Sequence, residues 1–191
     1  MKYSVPAVIF SGGKSSRMGE DKALLPFGSF PTLAQYQYDR LQTLFDHVYI
    51  STKQNKFSFD TALIFDKAEE SSPLVGLVSV LESLGAEEIF ILSVDAPFVD
   101  KEIINTLIES ASEHTKDAVV ASHKGHIQPL CGIYRRSILP AAKESLSRGN
   151  HKMKALLEIA DTLNISFNDP HAFLNLNRPE EYQHALTLIS S

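Results

Sequence analysis

The order of apolar and polar residues along the chain predicts β-strands that alternate with α-helices. The apolar run Val5–Ser11 has the length and the β-branched composition of a strand that is buried on both faces. After a polar loop, the segment Thr32–Phe45 repeats its apolar residues at helical spacing. His47–Thr52 then returns to a strand-like composition. This first part of the chain therefore predicts a β-α-β unit.

The same alternation continues to the end of the chain. Further strands are predicted at Thr61–Phe65, Ile89–Val94, Asp117–Ala121, Ile127–Arg135 (irregular) and Leu163–Phe167. Further helices are predicted at Leu74–Leu84, Lys101–Ser112 with Asp100 as its cap, Ile138–Leu146, Lys152–Ile159 and Pro179–Leu188. Such an alternation indicates an α/β fold of three layers, Rossmann-like, with a mostly parallel central sheet. The chain shows no repeat, low-complexity segment or long linker, so residues 1–191 are predicted to form a single domain.

Charge and composition exclude several classes of protein. The chain has 18 Lys and Arg against 23 Asp and Glu, a formal net charge of −5, which argues against nucleic acid as a partner bound over a broad surface. No apolar stretch is long enough to span a membrane, and the first apolar run is too short for a signal peptide. Cys131 is the only cysteine, which excludes an internal disulfide and a cysteine-based zinc cage. We therefore expect a cytoplasmic protein with neither nucleic acid nor membrane as a partner.

The loop after the first strand, SGGKSSRMGEDK from Ser11 to Lys22, predicts a phosphate-binding site. Its glycines are Gly12, Gly13 and Gly19, and its cations are Lys14, Arg17 and Lys22. Glycines allow the backbone to approach a ligand closely, and cations pair with phosphate oxygens. The loop is not a Walker A motif, because position 8, where that motif needs glycine, is Val8. The alternative interpretation is a solvated turn with a charged rim.

Asp95 is the candidate metal ligand. It follows the predicted strand Ile89–Val94, and parallel pairing would place its carboxylate at the same sheet edge as Gly12 and Gly13. Mg²⁺ prefers oxygen ligands and usually takes one or two protein carboxylates together with substrate phosphates. The alternative is that the segment starting at Asp95 is only a turn ahead of Pro97.

The loop pattern Gly12-Gly13-x-x-x-Arg17-Met18-Gly19-x-x-Lys22 resembles the signature of small nucleotidyltransferases. It is most similar to that of the molybdenum cofactor guanylyltransferases of the MobA type. Further segments resemble that family in the same order along the chain: Ser71–Gly76, Ser93–Val99, Gln128–Pro140 and Phe173–Glu181. The resemblance therefore covers nearly the whole chain, whereas the loop alone is shared with cytidylyltransferases and sugar-nucleotide transferases.

The resemblance implies a nucleotidyltransferase fold and a magnesium-dependent reaction. GMP would be transferred from GTP to the terminal phosphate of the molybdenum-molybdopterin cofactor, with release of pyrophosphate. By the same resemblance, Arg17 and Lys22 would hold the triphosphate and the departing pyrophosphate, and Asp95 would carry Mg²⁺. Backbone amides near Gly12 and Gly13 would complete the phosphate cradle. Such a reaction needs positioning and charge neutralisation more than a nucleophilic side chain.

The resemblance also implies residues for each substrate. For the base these are the backbone of Phe10, Ser11 and Gly12, the region of Ser51, and Asp66, whose carboxylate would accept from the N–H and amino groups of guanine. Asp66 has the alternative interpretation of a surface acid that ends a strand.

For the acceptor the resemblance implies Asn175, Asn177 and basic residues around Arg148–Lys152. Asn177 has the alternative role of a helix N-cap in a capping box with Glu180.

Two other functions remain open at this point. The first is a cytidylyltransferase that uses CTP, on molybdopterin or on another phosphorylated acceptor, because the loop does not read the base. The second is a regulatory protein that binds GTP without turnover. Other cofactor-biosynthesis proteins and molybdoenzyme chaperones are further candidate partners of a member of this family.

Overall fold

The computed structural model describes residues 2–12, 21–68 and 70–189. Its seven strands are β1 (Ala7–Phe10), β2 (Val48–Thr52), β3 (Ala62–Phe65), β4 (Glu88–Ser93), β5 (Ala118–His123), β6 (His126–Arg135) and β7 (Thr162–Phe167). The α-helices are α1 (Leu33–Gln42), α2 (Pro73–Leu84), α3 (Lys101–Glu113), α4 (Leu139–Ser147), α5 (Met153–Ile159) and α6 (Pro179–Ile189). Two short 3-10 helices span Lys22–Leu24 and Arg136–Ile138.

All seven strands form one sheet in the order β3-β2-β1-β4-β6-β5-β7. The strands β1, β2, β3 and β4 are parallel, as are β5 and β7, whereas β6 runs antiparallel to both of its neighbours. This confirms the predicted α/β fold with a mostly parallel central sheet. The register pairs Phe10 with Ser51 on one side and with Ser93 on the other. The carboxyl ends of β1, β2 and β4 therefore meet at one edge.

Helices cover both faces of the sheet and enclose two cores. The side chains of Ala7 and Ile9 join the core that includes residues of α1, α3 and α6. Those of Val8 and Phe10 join the opposite core, with residues of α2, α4 and α5. All four residues of β1 are buried, as expected of a central strand covered on both faces.

Local sequence signals set the start of the helices beside the sheet edge. Helix α2 begins after Ser72, whose hydroxyl accepts from the amide of Val75, and Pro73 occupies its first turn. Helix α3 begins after Asp100, whose carboxylate accepts from the amide of Ile103, which confirms the predicted cap. In the described part of the chain, no helix combines the length and apolar character needed to cross a bilayer.

The predicted irregularity of β6 is also confirmed. Val120 of β5 pairs with Gly132, but the next residue, Ala121, pairs with Gln128, so residues 129–131 bulge out of this pairing. Gly132 allows the close approach of the two strands, because a Cβ at that position would lie 2.4 Å from the carbonyl oxygen of Val119. The bulge brings residues 129–131 to the edge of the sheet where β1 and β4 end.

Candidate active site

Asp95 stands two residues beyond β4 with its carboxylate held on both oxygens. Oδ1 accepts from the hydroxyl of Ser93, and Oδ2 accepts from Nζ of Lys22 at 2.6 Å. The side chains of Lys22 and Asp95 are each 16% exposed. Because β1 and β4 are parallel neighbours, Asp95 and Gly12 follow strands that end at one edge, as predicted. The ion pair of Asp95 with Lys22, the last residue of the glycine-rich loop, was not predicted.

Lys22 is the centre of the site. It is the first residue of the 3-10 helix Lys22–Leu24, for which Asp21 is the N-cap. Besides Asp95, its Nζ donates to Oδ1 of Asn177 at 3.0 Å. The backbone confirms the same neighbourhood, because the amide of Leu176 donates to the carbonyl of Asp95 at 3.0 Å. Three distant parts of the sequence therefore converge on one ammonium group.

The predicted capping box of Asn177 and Glu180 at the start of α6 is wrong. The carboxylate that accepts backbone hydrogen bonds there is that of Glu181, which accepts from the amides of Asn177 and Arg178 at 2.7 and 2.9 Å. The helix begins at Pro179, so Glu181 is its third residue, the position from which a glutamate reaches back to the residue before the helix. The side-chain oxygen of Asn177 is instead engaged by Lys22.

A first cavity, which we call the Asp66 cavity, opens beside the end of β1. Its empty volume, which includes space open to solvent, is about 360 Å³. Its lining includes Phe10, Gly12, Ser51, Asp66, Ser72 and Gly76. Four residues expected at the base therefore share one cavity. The fifth, Ser11, is buried next to it and its amide and hydroxyl both donate to the carbonyl of Ser51.

Asp66 is partly buried in this cavity, immediately after β3. Ser51 places its hydroxyl 3.5 Å from Oδ1 of Asp66, at the limit of a hydrogen bond. Burial raises the pKa of Asp66, while the positive charge of Lys53 and the contact with Ser51 oppose that rise. Asp66 thus follows the end of β3, as the alternative interpretation had it, but it is a partly desolvated carboxyl that lines a cavity.

Gly76 keeps the Asp66 cavity open. A Cβ at this position would lie 3.1 Å from Cε2 of Phe10, 3.3 Å from Oγ of Ser51 and 3.6 Å from Oδ1 of Asp66. Its place in the first turns of α2 brings the helix backbone against the end of β1. Glycine here serves close approach, although it is a poor helix former.

A second cavity, the Asn175 cavity, is lined in part by the bulge in β6. Its empty volume, which includes space open to solvent, is about 540 Å³, and its lining includes Ser93, Asp95, Gln128, Leu130, Asn175 and Asn177. Leu130 lines both cavities, so the two adjoin each other. Cys131 also lines the second cavity, but burial raises the pKa of its thiol to about 12, so it is a packed, protonated group.

Lys56 is a residue of the site that the sequence analysis missed. Its Nζ donates to the backbone carbonyl of Ser11 at 3.1 Å and pairs with Oδ2 of Asp21. It lies in the irregular segment between β2 and β3, where no motif singled it out. Only the tertiary structure brings it to the two ends of the glycine-rich loop.

Other predictions have mixed outcomes. Gly13 and Arg17 lie outside the described residues. Arg148 pairs with Glu144 of α4, and neither it nor Lys152 lines either cavity in the described part of the chain. His151 lies instead 3.1 Å from the hydroxyl of Ser72.

The comparison with family models decides the relationship of this chain. A model described as the MobA-like NTP transferase domain matches residues 7–165. The chain belongs to this family. The predicted resemblance is therefore confirmed, and the Asp66 cavity, Lys22 and Asp95 all fall within the matched residues. Asn175 and Asn177 lie beyond its end.

Individual relatives agree with this family. The molybdenum cofactor guanylyltransferase of Campylobacter jejuni strain RM1221 is 37% identical over 178 residues, which are 92% of this chain and 92% of that protein. The structure of molybdopterin-guanine dinucleotide biosynthesis protein A from Archaeoglobus fulgidus has a TM-score of 0.85 over 97% of this chain and 99% of that one, at 17% identity.

A second structural neighbour carries a different base specificity in its name. The 2-C-methyl-D-erythritol 4-phosphate cytidylyltransferase of Thermus thermophilus has a TM-score of 0.71 over 99% of this chain and all of that one, at 15% identity. Both structural likenesses are likenesses of fold. Because a cytidylyltransferase shares the fold, the architecture alone does not determine the base.

Proposed function

We propose that the protein transfers GMP from GTP to the terminal phosphate of the molybdenum-molybdopterin cofactor. The products are the guanine dinucleotide cofactor and pyrophosphate. The names of the relatives support this reaction. The observation that carries it is the arrangement at one sheet edge, where the carboxylate-bearing Asp66 cavity and the Asn175 cavity adjoin and the Lys22–Asp95 pair stands at the second of them.

The Asp66 cavity supports guanine as the base. Guanine presents a ring N–H and an amino group side by side, and one carboxylate can accept from both. Cytosine and adenine each present an acceptor nitrogen next to their amino group, which a carboxylate would repel. An ionised Asp66, desolvated between Ser51 and Gly76, therefore favours guanine.

The proposed reaction requires the protein mainly to position the two substrates and to neutralise negative charge. An oxygen of the acceptor phosphate attacks the α-phosphorus of GTP, and the bond from that phosphorus to the oxygen of the β-phosphate breaks. The acceptor phosphate is already an anion at neutral pH, so no side chain has to remove a proton. We assign to Lys22, whose ammonium group contacts Asp95 and Asn177, the binding of phosphate oxygens and the stabilisation of the departing pyrophosphate.

The donors around Asp95 fit a magnesium ion. Its carboxylate and the adjacent Ser93 hydroxyl offer the oxygen atoms that Mg²⁺ prefers, and Oδ2 accepts a hydrogen bond from the ammonium group of Lys22. We assign Mg²⁺ to Asp95, where it would supply positive charge to the phosphate oxygens. One carboxylate is enough for such a site, because Mg²⁺ keeps several waters and takes phosphate oxygens as ligands.

The Asn175 cavity is the proposed acceptor site. The amides of Asn175 and Asn177 supply both donors and acceptors, which suits the polar edge of a pterin. Its lining also includes Asp95, so an acceptor bound there would hold its terminal phosphate near the metal ligand. This juxtaposition supports transfer between the two cavities.

The test is pyrophosphate release by the purified protein with each of the four nucleoside triphosphates and the molybdenum-loaded pterin. We expect release with GTP, dependent on both Mg²⁺ and the acceptor. A preference for CTP would replace the proposed base with cytosine. GTP binding without release of pyrophosphate would indicate a regulatory protein.

A further inference from the structure

The ammonium group of Lys56 connects two backbone segments on either side of the glycine-rich loop. It donates to the carbonyl oxygen of Ser11, directly after β1, and to the carboxylate of Asp21, directly before the 3-10 helix. The side chain of Lys56 is 16% exposed, less than half the exposure of Asp21. Its Nζ also lies 5.6 Å from the centre of the Phe57 ring. These contacts fix the ammonium group in one place.

Asp21 connects Lys56 to the 3-10 helix that contains Lys22. One of its oxygens, Oδ1, accepts from the amide of Ala23 at 3.0 Å and so caps the 3-10 helix, while Oδ2 takes the ammonium of Lys56. The first residue of that helix is Lys22, whose Nζ reaches Asp95 and Asn177. The orientation of the helix, and with it the direction of Lys22, depends on where Asp21 is held.

Ser11 is the second anchor. Its amide and hydroxyl donate to Ser51, which lines the Asp66 cavity, and its carbonyl accepts from Lys56. One ammonium group therefore ties the strand end beside the first cavity to the helix that carries Lys22. Hydrogen bonds between an ammonium group and a carboxylate are stronger than neutral ones, and partial burial reduces their screening.

We propose that Lys56 is a positioning residue, which through Asp21 holds Lys22 in place for the phosphates of the nucleotide. This inference rests on the proposed function. It differs from a direct role of Lys56 as a phosphate ligand, because its charge is neutralised by Asp21 at the site where it sits. The two roles predict opposite effects of removing the Asp21 charge.

The first experiment is a calorimetric titration of GTP into the wild type, Lys56→Met, Asp21→Asn and the double variant. Met keeps the apolar stem of Lys56, and Asn keeps an oxygen that caps Ala23. We expect each single variant to raise the Kd for GTP about tenfold. The Kd of the double variant for GTP should lie within about twofold of the higher of the two single-variant Kd values, because both substitutions break the same connection. If Asp21→Asn leaves GTP affinity unchanged or improves it while Lys56→Met weakens it, Lys56 is a phosphate ligand and the proposal is wrong.

The second experiment asks whether the effect passes through Lys22. In a Lys22→Met background, adding Lys56→Met should change the Kd for GTP by less than about twofold. An additive loss would contradict positioning. A fall in Tm for Lys56→Met with an unchanged Kd in the wild-type background would also contradict it, because it would show a purely structural role.

Lys116→Met is the matched control. Lys116 pairs with the carboxylate of Asp161 at 2.8 Å, near the start of β5, and it lines neither cavity. It should leave GTP affinity unchanged, which separates a local effect from a general loss of positive charge. If the wild type binds no nucleoside triphosphate, the proposed function itself fails. If the wild type binds GTP and all Lys56 and Asp21 variants match it, only the positioning role fails.

Discussion

Lys22 and Asp95 form an ion pair with Nζ and Oδ2 2.6 Å apart, although 73 positions separate them along the chain. Lys22 ends the glycine-rich loop that leaves β1, and Asp95 lies two residues beyond β4, so the pair connects the segments that follow two neighbouring strands. The cation that we propose for phosphate and the carboxylate that we propose for metal therefore lie side by side. Asp95 lines the Asn175 cavity, which shares Leu130 with the Asp66 cavity.

The first prediction concerns Asp95→Asn. This variant should keep the fold but lower kcat by roughly 10²-fold or more, because a charged metal ligand becomes neutral where charge develops in the reaction. The measurement is pyrophosphate release over a range of Mg²⁺ concentrations, with Tm as the control for folding. Turnover and magnesium dependence like those of the wild type would remove Asp95 from the site.

The second prediction separates phosphate binding from base binding. Lys22→Met should weaken the binding of GTP and GDP by about tenfold while changing that of guanosine far less, because the proposed partners of the ammonium group are phosphate oxygens and Lys22 does not line the Asp66 cavity. Calorimetric titrations with the three ligands measure this. Equal losses for all three would contradict the assignment.

Local signals explain why much of the fold could be predicted from the sequence. The buried run around β1 and the cap at Asp100 depend on residues close together in the chain, and both are confirmed. The lateral order of the strands was not predicted. The antiparallel direction of β6 follows from the two-residue turn at Lys124 and Gly125 that joins it to β5, a local signal that hydrophobic periodicity does not read.

The site could be predicted in part for the same reason. Asp95 and Gly12 were expected at one edge because parallel strands end there, and Phe10, Ser51 and Asp66 were expected at the base only through the family resemblance. Lys56 could not be found, because an isolated lysine in an irregular segment carries no local signal. The capping box was wrong because the sequence allowed more than one glutamate to reach the start of α6.

The third prediction is that Asp66→Asn stabilises the protein and lowers its selectivity for the base. Burial raises the pKa of this carboxyl above its ordinary value of 3.8, so the ionised form destabilises the folded state at neutral pH. Asp66→Asn should therefore raise Tm at pH 7. The gain in Tm should shrink as the pH falls through the raised pKa of the folded protein. It should vanish below the ordinary pKa of 3.8, where Asp66 is protonated in both the folded and the unfolded state. The same variant should also reduce the ratio of kcat/KM for GTP to that for CTP. If Tm rises and this ratio does not change, Asp66 does not recognise the base.

The fourth prediction tests the space that Gly76 leaves open. Gly76→Ala should raise the KM for GTP roughly tenfold, because its Cβ would stand 3.1 Å from Cε2 of Phe10 and 3.3 Å from Oγ of Ser51. Alanine gains about 1 kcal/mol of helix propensity, which offsets the crowding, so Tm should change little. Gly85→Ala is the control: Gly85 ends α2 at φ +62°, so that variant should lower Tm without changing KM. An unchanged KM in Gly76→Ala would show that the nucleotide does not enter the Asp66 cavity.

The last prediction separates acceptor binding from helix capping at the start of α6. Asn177 places its side-chain oxygen on Lys22, while Glu181 accepts from the backbone amides of Asn177 and Arg178. Asn177→Ala should therefore leave Tm nearly unchanged but raise the KM for the acceptor about tenfold, with a smaller change for GTP, because ground-state binding to one substrate is lost. Glu181→Ala should do the reverse, costing about 1 kcal/mol of stability through its unsatisfied amides and leaving the acceptor KM unchanged. Steady-state kinetics and thermal unfolding of both variants distinguish acceptor binding from capping. If Asn177→Ala lowers Tm and keeps the wild-type KM for the acceptor, Asn177 has a structural role at the start of α6, and the Asn175 cavity does not hold the acceptor through Asn177.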